Sequence, residues 1–299
     1  MESNILTTIL LPLSLAIIMF GMGTSLVIDD FKRILVYPKA VTIGFFGQIF
    51  LLPLIGYLFA SSFGLSPENS VGIMVLVACA GGATSNIIVY LAKGDVALSV
   101  TLTSISSLVT FITIPFVVNF ALYEFMNLNE GAALPISGTS FRLFLITLLP
   151  VIAGMYIRLK FSDAVIKLEK TFNHLASILF ILIVIGILFK ERSGLAESIL
   201  SAGPVAYALN FTTMLLGFSI SRLFKLSEQQ SVTVSVEVGV QNSATGIFIA
   251  TSLLNNSAIA AMPLVYSFVM YLNAGLLIGF MQFCMKEKKE ANSSSSACL

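Results

Sequence analysis

Nine stretches of about twenty or more predominantly apolar residues follow one another along this chain, at 5–28, 35–63, 70–92, 95–123, 137–159, 165–190, 203–224, 228–254 and 257–284. Each is long enough to cross a hydrocarbon layer of about 30 Å as a helix. Lipid offers no hydrogen bonds to a backbone, so such segments must pair their own N–H and C=O groups, as helices do. The pattern predicts an all-α membrane protein of nine transmembrane helices. Composition agrees: 57% of residues are hydrophobic, 10% are charged and the mean hydropathy is +0.97, outside the range of a soluble domain. The connections are short, so residues 1–285 are expected to form one polytopic domain. The polar stretch 286–299, with its Ser293–Ser296 run, predicts a disordered tail. The first stretch is too long for a signal-peptide core and lacks a convincing small-residue cleavage site after it, so it counts as a span.

Charge sets the orientation. Lys32, Arg33, Lys39, Lys93, Arg158, Lys160, Lys167, Lys170, Arg222, Lys225, Lys286, Lys288 and Lys289 fall on one side of the expected membrane, and only Arg142, Lys190 and Arg192 on the other. Positively charged loops stay cytoplasmic, which puts the N-terminus outside and the C-terminus in the cytoplasm of a cell (inner or plasma) membrane. An odd number of spans requires the same split. A net charge of +1, with no Lys/Arg cluster interleaved with aromatics, excludes nucleic acid as a partner. Cys79, Cys284 and Cys298 have neither metal nor redox spacing, and His174 is the single histidine. An intramembrane enzyme would need a nucleophile with its base, or a metal cluster, and neither is assembled in the sequence.

Two spans are interrupted in matching ways. The third contains Ala80-Gly81-Gly82-Ala83-Thr84-Ser85-Asn86 and the eighth contains Glu237-Val238-Gly239-Val240-Gln241-Asn242-Ser243. Glycine beside small polar groups at mid-membrane depth points to discontinuous helices that cross at a substrate site. The third span is the second-last of spans 1–4 and the eighth the second-last of spans 6–9. Five spans separate the equivalents, so the two halves form an inverted repeat about span 5. Read separately, Gly81-Gly82 could serve only close helix packing.

Glu237 stands alone among the acidic residues in the middle of a long apolar stretch. An ion there costs at least about 2.5–3.5 kcal/mol on the lenient insertion scale, so it should face a cavity, a proton or a bound cation. Gln241 adds an amide oxygen, and an opened helix at Gly239 would free the carbonyls of Val238 and Val240. A hard cation seeks about six such oxygens. A second set gathers at the first break, where Ser85 and Asn86 precede Ser99 and Thr103, which lie one turn apart on a single face of the next span. Hydroxyl stripes of this kind also serve as interhelical glue.

With these two motifs the chain resembles the sodium/bile-acid cotransporter family, over essentially its whole length. The resemblance implies two sodium ions, the first held by Ser85, Asn86, Ser99, Thr103 and Glu237. The second would be held by Gln48, Glu237, Gln241 and the main-chain oxygens of Val238 and Val240. Gln48 is the only strongly polar interior side chain of the second span and would otherwise count as packing. The resemblance also implies a core of spans 2–4 and 7–9, a panel of spans 1, 5 and 6, and a cavity wall at Ala83 and Thr84. Asn242 and Asn273 would face the substrate. The expected function is a monomeric, lipid-embedded symporter importing an organic anion, bile-acid-like or a small hydroxy or keto acid. A proton-coupled or efflux carrier on the same fold, and a receptor or channel, remain open.

Overall fold

The computed structural model describes residues 9–127, 134–161 and 192–296, together with Ile178, Leu182 and Ile185. Every regular element among them is helical. In chain order these are α1 (Leu11–Ser25), α2 (Pro38–Ser62), α3 (Pro67–Ala78), α4 (Ala83–Leu91), α5 (Val96–Met126) and α6 (Ile136–Lys160). They continue as α7 (Arg192–Leu223), α8 (Glu228–Gly239), α9 (Ser243–Phe248, prolonged by a wider turn over Ile249–Leu253) and α10 (Ala261–Ser296). Five are long and apolar enough to cross a membrane: α2, α5, α6, the Ser201–Leu223 part of α7 and the Ala261–Phe283 part of α10. A sixth appears if α1 is counted with Ile28–Leu35, which bends away from it by 74°. The expected span at 165–190, His174 within it, and Lys167, Lys170 and Lys190 of the charge count lie outside the described residues except for Ile178, Leu182 and Ile185.

The long helices are amphipathic in the membrane sense: one face packs inward and the other offers bare hydrocarbon. Phe46, Phe50 and Leu54 on α2, Phe116 and Phe120 on α5, and Leu272, Leu276 and Phe280 on α10 are all exposed. In water so much apolar surface would be a liability, whereas against lipid tails it is the expected coat. The short helices α3 and α8 are the reverse. Every residue from Asn69 to Ala78, and from Ser231 to Gly239, is buried, so both are enclosed by their neighbours. Each starts cleanly, α3 with Ser66 accepting from the Asn69 N–H and Pro67 at its first position, α8 with a reciprocal box between Ser227 and Gln230.

Both then stop in the interior. After α3 the backbone extends at Cys79 (ψ 147°) and Gly82 (ψ 167°) before α4 begins, and after α8 it extends at Val240 (ψ 110°) before α9. The breaks fall at the two glycine-polar motifs picked out by sequence. Elsewhere glycine permits close contact: a Cβ at Gly23 would strike the Val151 backbone and one at Gly154 the Phe20 carbonyl, so α1 and α6 touch backbone to backbone. Arg158 fastens that pair by donating from Nη1 to the Thr24 carbonyl at 2.7 Å. The last helix runs on to Ser296, into the stretch expected to be a disordered tail. The Lys286-Glu287-Lys288-Lys289-Glu290 run consists of good helix formers that can prolong a helix already nucleated by the apolar part of α10.

Candidate functional site

The two breaks meet. The Asn242 N–H donates to the Ala80 carbonyl at 2.9 Å, so the extended residues of one break satisfy those of the other. Asn242 also caps α9, its Oδ1 accepting from the Thr245 N–H at 3.1 Å. Glu237 lies one turn below, on the last turn of α8, with no exposed surface. Its Oε1 accepts from Ser85 on α4 and Ser99 on α5, both at 2.6 Å, and its Oε2 accepts from Thr103 on α5 at 2.8 Å. Three helices thus converge on one carboxylate, and all three hydroxyls are fully buried.

Gln48 arrives from a fourth. Helix α2 widens into a π turn over Gly47–Leu51, a deformation that often marks a functional position. There the Gln48 Nε2 donates to the Glu237 carbonyl at 2.8 Å and approaches its Oε2 at 3.4 Å. Both neighbours only accept, which fixes the amide orientation and turns Oε1 the other way. Gln241 is fixed similarly, with Nε2 donating to the Val238 carbonyl at 2.8 Å. The result is unusual for a buried site: among the described residues, Gln48 Oε1 and Gln241 Oε1 have no hydrogen-bond partner, nor has Asn273 Oδ1. Gly81 faces the same space, where an added Cβ would lie 3.1 Å from Glu237 Oε2, 3.4 Å from Gln48 Nε2 and 3.6 Å from the Val240 carbonyl.

The hydroxyl set is also short of protons. Ser85 lies between Glu237 Oε1 and the Gly82 carbonyl (2.8 Å), and Ser99 between Glu237 Oε1 and Asn86 Oδ1 (2.7 Å). Each serine has one proton for two acceptors. Around Glu237, oxygen acceptors outnumber the donors that could satisfy them.

The expected cation residues, Gln48, Ser85, Asn86, Ser99, Thr103, Glu237, Val238, Val240 and Gln241, therefore form one cluster around the crossing. The expected substrate residues are more dispersed. Ala83 opens α4, its side chain outside the described residues, and Thr84 is exposed with its Oγ1 3.5 Å from the Tyr271 hydroxyl. Asn242 is half-buried at the crossing and borders a cavity of about 30 Å³ shared with Ala80, Ser107, Thr110, Thr147 and Thr245. Asn273 is buried but bonded to Asn210, its Nδ2 donating to Asn210 Oδ1 at 2.8 Å. Asn210 and Tyr266 escaped the sequence reading. Both donate to the Gly239 carbonyl, at 2.8 and 2.7 Å, and so tie off the end of α8. Asn210 is the one amide in the 203–224 stretch, a signal of the same kind as Gln48.

A buried carboxylate at the crossing of two interrupted helices, inside a shell of lipid-length helices, defines the class as a multi-pass membrane protein built around a polar crossing. Comparison with known proteins makes this specific. The family model for the Sodium Bile acid symporter family matches residues 12–198, and the chain belongs to that family. Its members are transporters rather than enzymes. The matched stretch takes in Gln48 and the first break and ends before Glu237. Likeness to individual relatives extends further: 31% identity over 282 residues, 94% of this chain and 85% of the relative, to an uncharacterized sodium-dependent transporter, YocS, of Bacillus subtilis (strain 168). The ileal sodium/bile acid cotransporter of Homo sapiens is 28% identical over 93% of this chain and 81% of its own length. The probable chloroplastic sodium/metabolite cotransporter BASS2 of Oryza sativa subsp. japonica is 29% identical over 92% of this chain, which spans only 64% of that relative.

Proposed function

We propose that this protein carries an organic anion into the cell together with two sodium ions, by alternating access across a cell (inner or plasma) membrane. The observation that carries the reading is the excess of buried oxygen acceptors around Glu237. Hydroxyls keep free lone pairs while donating, carbonyls keep one, and the amide oxygens of Gln48 and Gln241 are unpartnered, which is the donor set a hard cation needs. One ion would take oxygens from Ser85, Asn86, Ser99, Thr103 and Glu237. The other would take Gln48, Gln241, Glu237 and the Val238 and Val240 carbonyls, in the space that Gly81 leaves open for want of a Cβ. The names of the relatives, sodium-dependent, sodium/metabolite and sodium/bile acid, agree with that coupling ion.

Sodium has a second effect in this reading. By pinning the extended residues of both breaks, the ions fix Asn242, whose Oδ1 is engaged as a cap and whose Nδ2 is left to meet a carboxylate. Cation and anion then favour the same state, and each raises the affinity for the other. The anion is a bile-acid-like or small hydroxy or keto carboxylate, bounded by Ala83, Thr84, Asn242 and Asn273. Two sodium ions with a monovalent anion make transport electrogenic, each net charge gaining about 2.3 kcal/mol per 100 mV. The surrounding architecture is the inverted repeat of nine crossings, with α3–α4 and α8–α9 each counted as one. It has a core of spans 2–4 and 7–9, a panel of spans 1, 5 and 6, an outer N-terminus, a cytoplasmic C-terminus and a monomeric assembly in lipid.

The test is uptake of a panel of radiolabelled organic acids into proteoliposomes, with sodium outside replaced by choline at constant pH and ionic strength. Concentrative uptake should require sodium and be accompanied by inward positive current. Uptake that persists in choline and follows an imposed pH gradient instead would replace sodium by a proton at Glu237.

A further inference from the structure

Four residues before Glu237, Thr233 makes a contact that the sodium reading leaves unused. Its side chain is fully buried, and its Oγ1 accepts from the Asp95 N–H at 2.8 Å. The same oxygen lies 3.1 Å from the Asp95 carbonyl and 2.9 Å from the Gln229 carbonyl, either of which can take its one proton. The Gly94 backbone presses against it, since a Cβ there would lie 2.8 Å from Thr233 Oγ1 and 2.9 Å from Val89. The turn that makes this contact joins α4 to α5, with Lys93 at φ 60° and Asp95 capping α5 by accepting from the Leu98 N–H at 3.1 Å.

Helical spacing gives this knot its meaning. Thr233 and Glu237 are one turn apart on α8, and Asp95, Ser99 and Thr103 are successive turns on α5, so the two helices touch along matching faces. The knot is the lowest rung of a ladder whose next rungs are Glu237 to Ser99 and Glu237 to Thr103. Through the turn it also fixes the end of α4, the helix that supplies Ser85 and Asn86. Helix α8 ends two residues beyond Glu237, and past that point the Gly239 carbonyl is tied to Asn210 and Tyr266 and the Asn242 N–H to Ala80. On its opposite face Ser235 bonds the Met214 carbonyl at 2.8 Å, which fixes α8 to α7 and not to α5. Outside the knot lies an open cavity of about 600 Å³, bordered by Tyr90, Lys93, Gly94, Glu228 and Gln229.

We infer that Thr233 is a positioning residue for cation binding: its hydroxyl locks the α4–α5 turn to α8 and so sets the distance between Glu237 and the oxygens of Ser85, Ser99 and Thr103. The inference rests on the sodium reading of the Glu237 cluster. It assigns the ion's affinity partly to a side chain that never touches it.

The experiment titrates the purified full chain with sodium chloride against choline chloride at constant ionic strength and follows the thermal unfolding midpoint, with sodium alone as probe. Thr233→Val, which keeps the shape and removes the hydroxyl, should weaken apparent sodium affinity at least tenfold. Thr233→Ser should stay within about twofold of wild type. A merely structural role would lower the midpoint in choline without moving the sodium concentration at half-effect. The inference is overturned if Thr233→Val titrates like wild type, or if Thr233→Ser is as weak as Thr233→Val. Should Thr233→Val not fold, Gly94→Ala decides by the same titration: weakening supports the clamp and a wild-type curve overturns it. A wild-type protein indifferent to sodium would sink the sodium reading itself and this inference with it. A sodium-responsive wild type beside an unchanged variant sinks the clamp alone.

Discussion

Replacing Glu237 by glutamine removes one charge and almost nothing else, and the structure allows its two consequences to be separated. The amide oxygen can still accept from Ser85 and Ser99, now at 2.6 Å from Oε1. The new NH2 would take the place of Oε2, where Thr103 at 2.8 Å can turn its hydroxyl to accept. Only the 3.4 Å approach of Gln48 Nε2 becomes donor against donor, so the cost in stability should stay within about 1–3 kcal/mol. The cost in sodium binding is of another order. A unit charge about 2.4 Å from a hard cation, at an effective dielectric near 20, is worth about 7 kcal/mol gross. Much of this is offset by desolvation, and breaking a buried charge pair typically costs about 3–5 kcal/mol net. Sodium affinity should therefore fall by about a hundredfold to a few thousandfold. The assay is the sodium titration of the unfolding midpoint, with midpoints in choline reporting the fold. A folded Glu237→Gln protein that sodium still stabilises at wild-type concentrations would refute the assignment of the carboxylate as the charge that holds the ions.

Gly81→Ala should fold and lose sodium affinity by tenfold or more, because its methyl would stand 3.1 Å from Glu237 Oε2 and 3.6 Å from the Val240 carbonyl; the same titration reads it. Tyr266→Phe keeps a fully buried ring and deletes the 2.7 Å bond to the Gly239 carbonyl, leaving Asn210 to hold that carbonyl alone. A loss of about 1 kcal/mol should follow, measured by denaturant unfolding in detergent. Gly154→Val places side-chain carbon against the backbone of Phe20, Gly23 and Thr24, which cannot yield as a flexible side chain would. Separation of α1 from α6 should cost about 1–3 kcal/mol and lower the unfolding midpoint with sodium affinity little changed.

Sequence carried the site further than it carried the envelope. The breaks at Gly81-Gly82 and Gly239 were legible because a helix that opens inside a membrane frees backbone groups that small polar side chains can satisfy, and glycine leaves room for the facing break to approach. The convergence of Ser85, Ser99 and Thr103 on Glu237 was legible as spacing along single helices, not as distance between them. What sequence could not show is which oxygens are already engaged. Asn242 is in sequence simply an amide beside the second break, and the structure engages its Oδ1 as the cap of α9; Asn273 is singled out by the family resemblance, and the structure holds its Nδ2 on Asn210 while leaving its Oδ1 without a partner among the described residues. Thr233 was hidden for a different reason. Its partner is the backbone of a turn more than a hundred residues away, and backbone partners leave no trace in residue identity.

The pattern of engaged and unengaged oxygens also bears on the choice of ion. A proton on Glu237 would convert one acceptor into a donor, which could relieve the contest between Ser85, Ser99 and their second acceptors at Gly82 and Asn86. It would do nothing for Gln48 Oε1 and Gln241 Oε1, whose amide orientations are fixed by carbonyls on their other side. Rotating either amide to reach a protonated carboxyl would strip the Glu237 or Val238 carbonyl of its donor, so one unpaired group would replace another. A cation among these oxygens needs no such exchange, because it binds several acceptors at once and leaves every existing N–H bond in place. The unpartnered amides are thus the feature that favours a metal ion over a proton at this crossing.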